Sequence, residues 1–198
     1  MKHSPRVQRL IDTLTCLPGV GPRSAQRMAY HLLERNRDGG RLLAAAMADA
    51  MDGVQQCQRC RNFAEEALCS VCADPRRQAR QVCVVASPAD VLAIEQSGEY
   101  HGHYFVLMGQ LSPLDGLGPR QLGLDVLEQR LGEGEIDELI LATSTTVEGE
   151  ATAHYIHDMV EGTTVSLSRI AQGVPMGGDL EYVDGATLAH AFRGRRPL

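Results

Sequence analysis

Apolar residues recur every three to four positions through the first fifty residues, a spacing that predicts amphipathic helices. Three helices are predicted, at about residues 7–14, 22–36 and 43–51. The turn Leu17-Pro18-Gly19-Val20-Gly21 separates the first two, and Gly39-Gly40 is predicted to separate the second from the third. Residues 1–55 are therefore expected to form a small helical domain.

From residue 81 onward the pattern changes to short apolar runs that alternate with segments of helical periodicity. The predicted strands cover residues 82–86, 104–108, 139–142 and 165–170, and the predicted helices cover 89–96, 124–131, 150–160 and 185–192. Strands that alternate with helices are typical of a parallel sheet with right-handed crossovers. Residues 111–119 and 173–178 are predicted to be loops, and the second loop leads into the C-terminal helix.

Two CxxC pairs lie close together between these regions, formed by Cys57 and Cys60 and by Cys69 and Cys72. Each pair can bind one side of a tetrahedral ion, and four thiolates on Zn²⁺ leave no position open for water. The spacing therefore predicts a structural zinc site, with an iron–sulfur cluster or a redox-active pair as alternatives. The remaining cysteines, at positions 16 and 83, are predicted to be buried.

The turn between the first two predicted helices has features of a phosphate-binding site. Gly19 and Gly21 carry no side chains that would hold a ligand away, and the start of the next helix offers free amides and a positive dipole end. Arg23 and Arg27 are four residues apart, so both lie on one face of that helix. The pattern is typical of a helix-hairpin-helix that binds the backbone of nucleic acids, although ordinary turn chemistry is the alternative.

Charge is divided unevenly along the chain, whose formal net charge is −6. Residues 1–80 contain 13 basic and 8 acidic residues, whereas residues 81–198 contain 6 basic and 17 acidic residues. The first part is therefore suited to polyanions, and the second to a basic protein partner. Four arginines near the cysteines could balance the charge of a thiolate site or simply be solvated: Arg59, Arg61, Arg76 and Arg77.

The composition excludes several other classes of protein. The longest apolar run, residues 42–48, is far shorter than the roughly 20 residues that cross a membrane. No secretory leader pattern is recognisable, so we expect a cytoplasmic protein. With no Trp, three Phe and five Tyr, the chain is not expected to form a large aromatic platform for single-stranded bases.

The acidic part of the chain offers little for metal-dependent catalysis. Such chemistry would need carboxylates at the carboxyl ends of the parallel strands, and the first and third predicted strands end without Asp or Glu. The candidate Mg²⁺ ligands nearby are Asp90, Asp115, Glu148 and Glu150. The last two also suit a helix N-terminus without any catalytic role. Ser87, Asp179 and Asp184 are predicted to be helix caps or loop residues.

Taken together and in this order, several segments resemble the RecR family of bacterial recombination mediators. They are LPGVG with Ser24-Ala25-Gln26-Arg27, the four cysteines with Ala73-Asp74-Pro75, Ser87-Pro88-Ala89-Asp90, LSPLDG at 111–116, TVEGEA at 146–151 and GVPMGGDLE at 173–181. The resemblance spans nearly the whole chain, and the combined order of these motifs is far more specific than any one of them.

The resemblance implies an α+β fold of several modules. These are a helix-hairpin-helix domain (1–55), a four-cysteine zinc finger (56–78), a Toprim domain with a parallel sheet (79–171), and a C-terminal Walker-B-like segment with its helix (172–198). It also implies one structural zinc ion per chain and a ring-shaped homotetramer. By this resemblance, the protein is expected to be a non-catalytic mediator that acts with RecO and RecF. It would promote the loading of RecA on gapped DNA that is coated with single-strand-binding protein.

The family comparison also carries over to individual residues. Arg23 and Arg27 match positions that face DNA, and the four paired cysteines match zinc ligands. Glu148 and Glu150 match an acidic segment that is a candidate partner surface. This chain has Ala86 where Toprim enzymes usually carry a glutamate, which argues against the rival hypothesis of a nuclease, primase or topoisomerase. A zinc-ribbon adaptor without DNA contact is a third hypothesis, but it leaves the basic hairpin unexplained.

Overall fold

The computed structural model describes residues 3–195 and divides the chain into two compact units, Met1–Val54 and Gln55–Leu198. The first unit consists of α1 (Pro5–Leu14), α2 (Pro22–Glu34) and α3 (Arg37–Gly53). Its core is small, with Ile11, Ala25 and Ala29 buried at the contact of α1 with α2. Alanines at the contact allow the two helices to pack closely, which fixes the turn between them.

Two predictions for the first unit were wrong. Gly39 and Gly40 lie inside α3 and do not separate two helices, because Asn36 caps the helix and accepts a hydrogen bond from the Gly39 amide at 2.9 Å. A strong N-cap outweighs the low helix propensity of two glycines. The helical spacing of Ala25, Met28 and Ala29 predicts that all three pack inward, but Met28 is 40% exposed.

The second unit begins with a small cysteine-bearing subdomain. It contains a two-stranded antiparallel hairpin of β1 (Gln55–Gln56) and β2 (Phe63–Ala64), followed by the single-turn helix α4 (Ser70–Ala73). The buried cluster here consists of the four paired cysteines, with Ala64 and Val71 packed against them. Because such a cluster is too small to stabilise a subdomain alone, a metal is expected to replace the missing core.

The rest of the second unit is a parallel α/β domain. Its strands and helices, in chain order, are β3 (Gln78–Val85), α5 (Pro88–Ser97), β4 (Gly102–Val106), α6 (Leu124–Gly132), β5 (Glu138–Ala142), α7 (Val147–Val160), β6 (Ser166–Arg169) and α8 (Gly185–Arg193), with a 3₁₀ turn at Leu180–Tyr182. The sheet order is β4-β3-β5-β6, and every neighbouring pair is parallel. The fold class predicted from the sequence is therefore confirmed.

Apolar clusters cover both faces of this sheet. Phe105, Leu139 and Ile156 belong to the larger cluster, on the side of α6 and α7, whereas Val85 and Val106 belong to the smaller one, on the side of α5. Burial on two faces explains why residues 82–86 and 104–108, in and after β3 and β4, are apolar runs in the sequence. Within residues 3–195, the structure has no helix of the length and hydrophobicity that a membrane crossing requires.

Helix caps position the chain at the carboxyl ends of the strands. Ser87 and Asp90 form a reciprocal capping box at the start of α5, and the Thr146 hydroxyl accepts from the Gly149 amide at 3.1 Å. The Thr146 cap starts α7 at Val147, three residues before the predicted start. Asp184 caps α8 by accepting from two backbone amides, as predicted, and the hydrogen bond from the Thr187 hydroxyl, together with those amides, lowers its pKa.

Candidate metal centre and nucleic-acid interface

The four paired cysteines converge into one buried site. Their Sγ atoms all lie within 4.8 Å of one another, and those of Cys60 and Cys69 are 3.5 Å apart. A tetrahedral ion with metal–sulfur bonds of about 2.3 Å separates its ligands by about 3.8 Å. The arrangement of the sulfurs therefore fits a four-coordinate thiolate site.

Backbone turns hold the first cysteine pair in a ligating conformation. The Arg61 amide donates to the Cys57 carbonyl at 2.8 Å, and the Cys57 amide donates to the Asn62 carbonyl at 2.7 Å. The Asn62 amide points at the Cys60 sulfur, with an N–S distance of 3.5 Å. Amide donors of this kind stabilise a thiolate, so the turn itself favours the metal-binding form of the cysteine.

The crowded thiols also affect one another's ionisation. The hydrogen bond with Cys69, together with burial, raises the pKa of Cys60 to about 12. Hydrogen bonds from Cys60 and Cys72 instead hold the pKa of Cys69 well below its usual range. Four buried thiolates at these distances need a cation to offset their charge. The donor set, four soft sulfurs with no oxygen or nitrogen, is the one that Zn²⁺ takes in structural sites.

The cysteine subdomain is attached to the sheet by backbone and arginine hydrogen bonds. The Val106 amide, at the end of β4, donates to the Cys60 carbonyl at 2.8 Å. The Arg61 guanidinium donates to the carbonyls of Leu122 and Gln121, and it lies over the ring of Phe105. Arg61 is also one of two non-glycine residues with positive φ in the described part of the chain, at 65°. The residue next to a cysteine ligand therefore also fixes the segment before α6.

The arginines expected to balance the thiolate charge have other partners. Arg59, Arg76 and Arg77 form ion pairs with Glu135, Asp74 and Glu95, respectively. A residue that the sequence did not indicate, Arg130 of α6, donates to the Arg59 carbonyl at 2.8 Å. Burial, together with the nearby Arg59, lowers the pKa of Arg130, while the cysteine sulfurs near it act in the opposite direction. No local signal in the sequence identifies this residue, because it lies 71 positions from Arg59.

The hairpin turn leaves its phosphate-binding candidates open to solvent. Gly19 has a φ of 76°, which favours glycine, whereas Gly21 has a φ of −80° that any residue can adopt. A Cβ atom at either position would meet nothing within 4 Å. Gly21 provides no side-chain cap for α2, so the first amides of this helix remain available to an anion.

Arg23 and Arg27 project from the first two turns of α2, and both are exposed. Neither has a carboxylate within ion-pair distance among the residues that the structure covers. Unpaired guanidinium groups beside a helix N-terminus form a site that attracts phosphate. Cys16, in the same turn, is exposed, so its predicted burial was wrong, whereas Cys83 is buried in β3 as predicted. The turn places Cys16 beyond the contact between α1 and α2.

The acidic candidates at the strand ends do not form one site. Glu148 and Asp115 line a cleft of about 550 Å³ together with Ala86, Ser87 and Thr146. Glu150 lies elsewhere and forms an ion pair with Arg169 at 2.6 Å, which lowers the pKa of the carboxyl group. The carboxylate of Asp90 is used by its capping box.

Metal-binding groups converge at one place in the described structure. Over residues 3–195, the cysteine cluster is the one group in which three or more potential metal-ligand side chains meet. Asp115, which lines the same cleft as Glu148, accepts a hydrogen bond from the Ser112 hydroxyl at 2.6 Å. The described structure thus contains a closed set of four cysteine ligands in the subdomain, whereas the cleft at the strand ends lacks a comparable group.

Comparison with known proteins matches every part of the chain. Family models of RecR match residues 7–51 (helix-hairpin-helix), 54–74 (zinc finger domain with four cysteines) and 173–196 (C-terminal), and a Toprim domain model matches residues 80–171. The recombination protein RecR of Alcanivorax borkumensis is 71% identical over 198 residues, which is 100% of this chain and 99% of that protein. The chain belongs to the RecR family of recombination repair proteins.

Proposed function

We propose that this protein is a non-catalytic, DNA-binding recombination mediator. It acts with RecO and RecF to promote RecA loading on gapped DNA that is coated with single-strand-binding protein. The observation that supports this proposal best is the pair of exposed arginines, Arg23 and Arg27, which have no ion-pair partner among residues 3–195 and lie next to the uncapped start of α2. Together with Gly19 and Gly21 they provide a phosphate-binding surface that does not read base sequence.

The proposed role of the cysteine subdomain is structural. One Zn²⁺ ion per chain would be held by Cys57, Cys60, Cys69 and Cys72, where it supplies the stabilisation that an apolar core supplies elsewhere. The proposed module boundaries remain those inferred from the sequence: 1–55, 56–78, 79–171 and 172–198. A cytoplasmic location belongs to the same proposal, since gapped chromosomal DNA is the proposed substrate.

A ring-shaped homotetramer would explain how a chain with a net charge of −6 can bind DNA. Each hairpin offers few phosphate contacts, and each contact is weak at physiological salt. Four hairpins that face one DNA molecule raise the effective concentration of binding sites, so weak contacts combine into a stable complex. A strictly monomeric form is therefore expected to bind DNA poorly.

The proposed non-catalytic role is supported by the chemistry of the strand-end cleft. Ala86 provides no ligand where Toprim enzymes usually have a glutamate, and Glu150 forms its ion pair outside the cleft. Glu148 and Glu150 are instead proposed to contact basic residues of a protein partner. Exposed carboxylates with little burial suit such a role, because they guide association at little desolvation cost.

Incubation of the full-length chain with labelled gapped DNA and Mg²⁺ tests this proposal. We expect a retarded complex that contains unaltered DNA. Cleaved or extended DNA would contradict the mediator and support a Toprim enzyme, and absence of a complex would leave only the adaptor hypothesis. In a parallel capture of purified RecO and RecF from the same organism, Glu148→Gln with Glu150→Gln should reduce recovery, whereas Glu161→Gln at the exposed end of α7 should not.

A further inference from the structure

A groove along α2 extends the proposed DNA-binding surface beyond the hairpin turn. It has a volume of about 480 Å³ and is lined entirely by residues of α2 and its C-cap: Arg23, Gln26, Arg27, Tyr30, His31, Glu34 and Arg35. We call this surface the α2 groove. Because one helix provides the whole lining, its geometry is set within the first unit.

Charge in the α2 groove is strongly asymmetric. It contains three arginines and a single carboxylate, that of Glu34. None of the three arginines forms an ion pair within the part of the chain that the structure describes. Arginines without carboxylate partners are free to bind phosphate in a bidentate manner. The groove is therefore complementary to a polyanion along its length and not only at its start.

Tyr30 is the aromatic residue of this groove, and it is held in one orientation. Its hydroxyl oxygen lies 3.0 Å from His3 Nδ1 and accepts a hydrogen bond from Gln26 Nε2 at 3.3 Å. The His3 ring packs edge-on against the tyrosine ring, with a centroid distance of 5.8 Å and an interplanar angle of 76°. Tyr30 as a whole is nevertheless 40% exposed. An exposed ring that is already ordered loses little entropy when it binds a ligand.

The position of Tyr30 relative to the arginines matters for its role. Arg23, Arg27 and Tyr30 stand at i, i+4 and i+7, so they lie on one face of α2. Tyr30 lies about 4.5 Å further along the helix axis than Arg27, so its ring follows the guanidinium groups along the same face. Basic side chains that follow a phosphate backbone, with an aromatic ring for the bases, are the combination that binds single strands.

We propose that Tyr30 stacks on an unpaired base of a DNA strand whose phosphates are bound by Arg23 and Arg27. This inference rests on the proposed DNA-binding function and specifies its ligand as single-stranded DNA, such as the strand exposed in a gap. The bases of a duplex are stacked on each other and paired, so their faces are not accessible to the ring without a cost in unstacking energy. The arginines alone would bind both kinds of DNA, whereas the tyrosine would favour the single strand.

Binding by the full-length chain to three fluorescent ligands tests this inference. The ligands are an oligothymidylate strand, a strand of equal length and charge that lacks bases, and a duplex. Tyr30→Ala is expected to weaken binding to oligothymidylate by about fivefold or more, as for other base-stacking aromatics, and to leave the other two ligands within twofold. Tyr30→Phe, which keeps the ring but loses the hydroxyl contacts with His3 and Gln26, should retain most of the affinity for oligothymidylate. Tyr155→Ala, at a comparably exposed tyrosine of α7, should have no effect.

Three results would overturn the inference. They are an equal loss on all three ligands with Tyr30→Ala, no loss on any of them, or a loss with Tyr30→Phe as large as with Tyr30→Ala. A joint Arg23→Ala and Arg27→Ala variant separates this inference from the proposed function. If that variant loses affinity for all ligands while Tyr30→Ala changes nothing, phosphate binding stands and base stacking fails. If the arginine variant binds like the parental chain, the DNA-binding surface is elsewhere and both proposals fail.

Discussion

Replacing Cys60 with serine is expected to abolish stoichiometric metal binding and to unfold the cysteine subdomain. Its thiol is one of the four in the cluster, 3.5 Å from the Cys69 sulfur, and its carbonyl accepts a hydrogen bond from the Val106 amide of the sheet. Structural zinc sites contribute roughly 10–16 kcal/mol of binding free energy that is coupled to folding. Loss of one of four thiolates should therefore lower the midpoint of thermal unfolding strongly, as measured by calorimetry with metal content determined by elemental analysis.

Cys16→Ser is the matched control for this substitution, because Cys16 is exposed and lies outside the cluster. It should keep one metal ion per chain and the parental unfolding midpoint. A chelator that removes the metal from the parental chain should reproduce the effect of Cys60→Ser. If Cys60→Ser kept both its metal content and its stability, the four cysteines would not form the metal site.

Replacing Arg23 and Arg27 together with glutamate is expected to weaken DNA binding by about tenfold or more at physiological salt. Both side chains are exposed and lack carboxylate partners in the described structure, so the fold should not depend on them. Each lost phosphate contact should also reduce the slope of log affinity against log salt by about 0.9. Fluorescence anisotropy titrations on gapped DNA over a range of salt concentrations measure both quantities.

The charge-matched control is the joint replacement of Arg37 and Arg41 with glutamate. These residues lie in the first two turns of α3, and the ion pair that Arg41 forms with Asp38 is highly exposed, so its loss should cost little stability. The net charge changes by the same amount in both variants. Equal losses of affinity would therefore mean that DNA responds to overall charge and not to the hairpin, contrary to the proposal.

Much of the fold could be predicted because its main signals are local or strongly periodic. The apolar runs of β3 and β4 are buried on both faces, and the CxxC pairs by themselves indicate one ligand cluster. The start of α3 could not be predicted from Gly39-Gly40, because the Asn36 cap determines where the helix begins. The spacing of apolar residues does not show which side chain will accept a hydrogen bond from a backbone amide, so it does not locate such a cap.

Contacts between side chains on separate helices, strands and loops could not be predicted from the sequence. Glu148 and Glu150 are neighbours in the chain, but residues two apart on a helix point about 200° away from each other. One consequently lines the strand-end cleft, and the other reaches Arg169 on the edge strand. The contact of Arg61 with the carbonyls before α6 is also invisible locally, since it joins residues 60 and 61 positions apart.

The central claim is that DNA is bound by the hairpin and the α2 groove, and not by the strand-end cleft. Amide hydrogen exchange of the full-length protein, with and without gapped DNA, tests it most directly. We predict slower exchange at residues 17–35 when DNA is present, and unchanged exchange at residues 86–88, 109–117 and 143–148. Protection of the strand-end segments, with none at residues 17–35, would contradict the account.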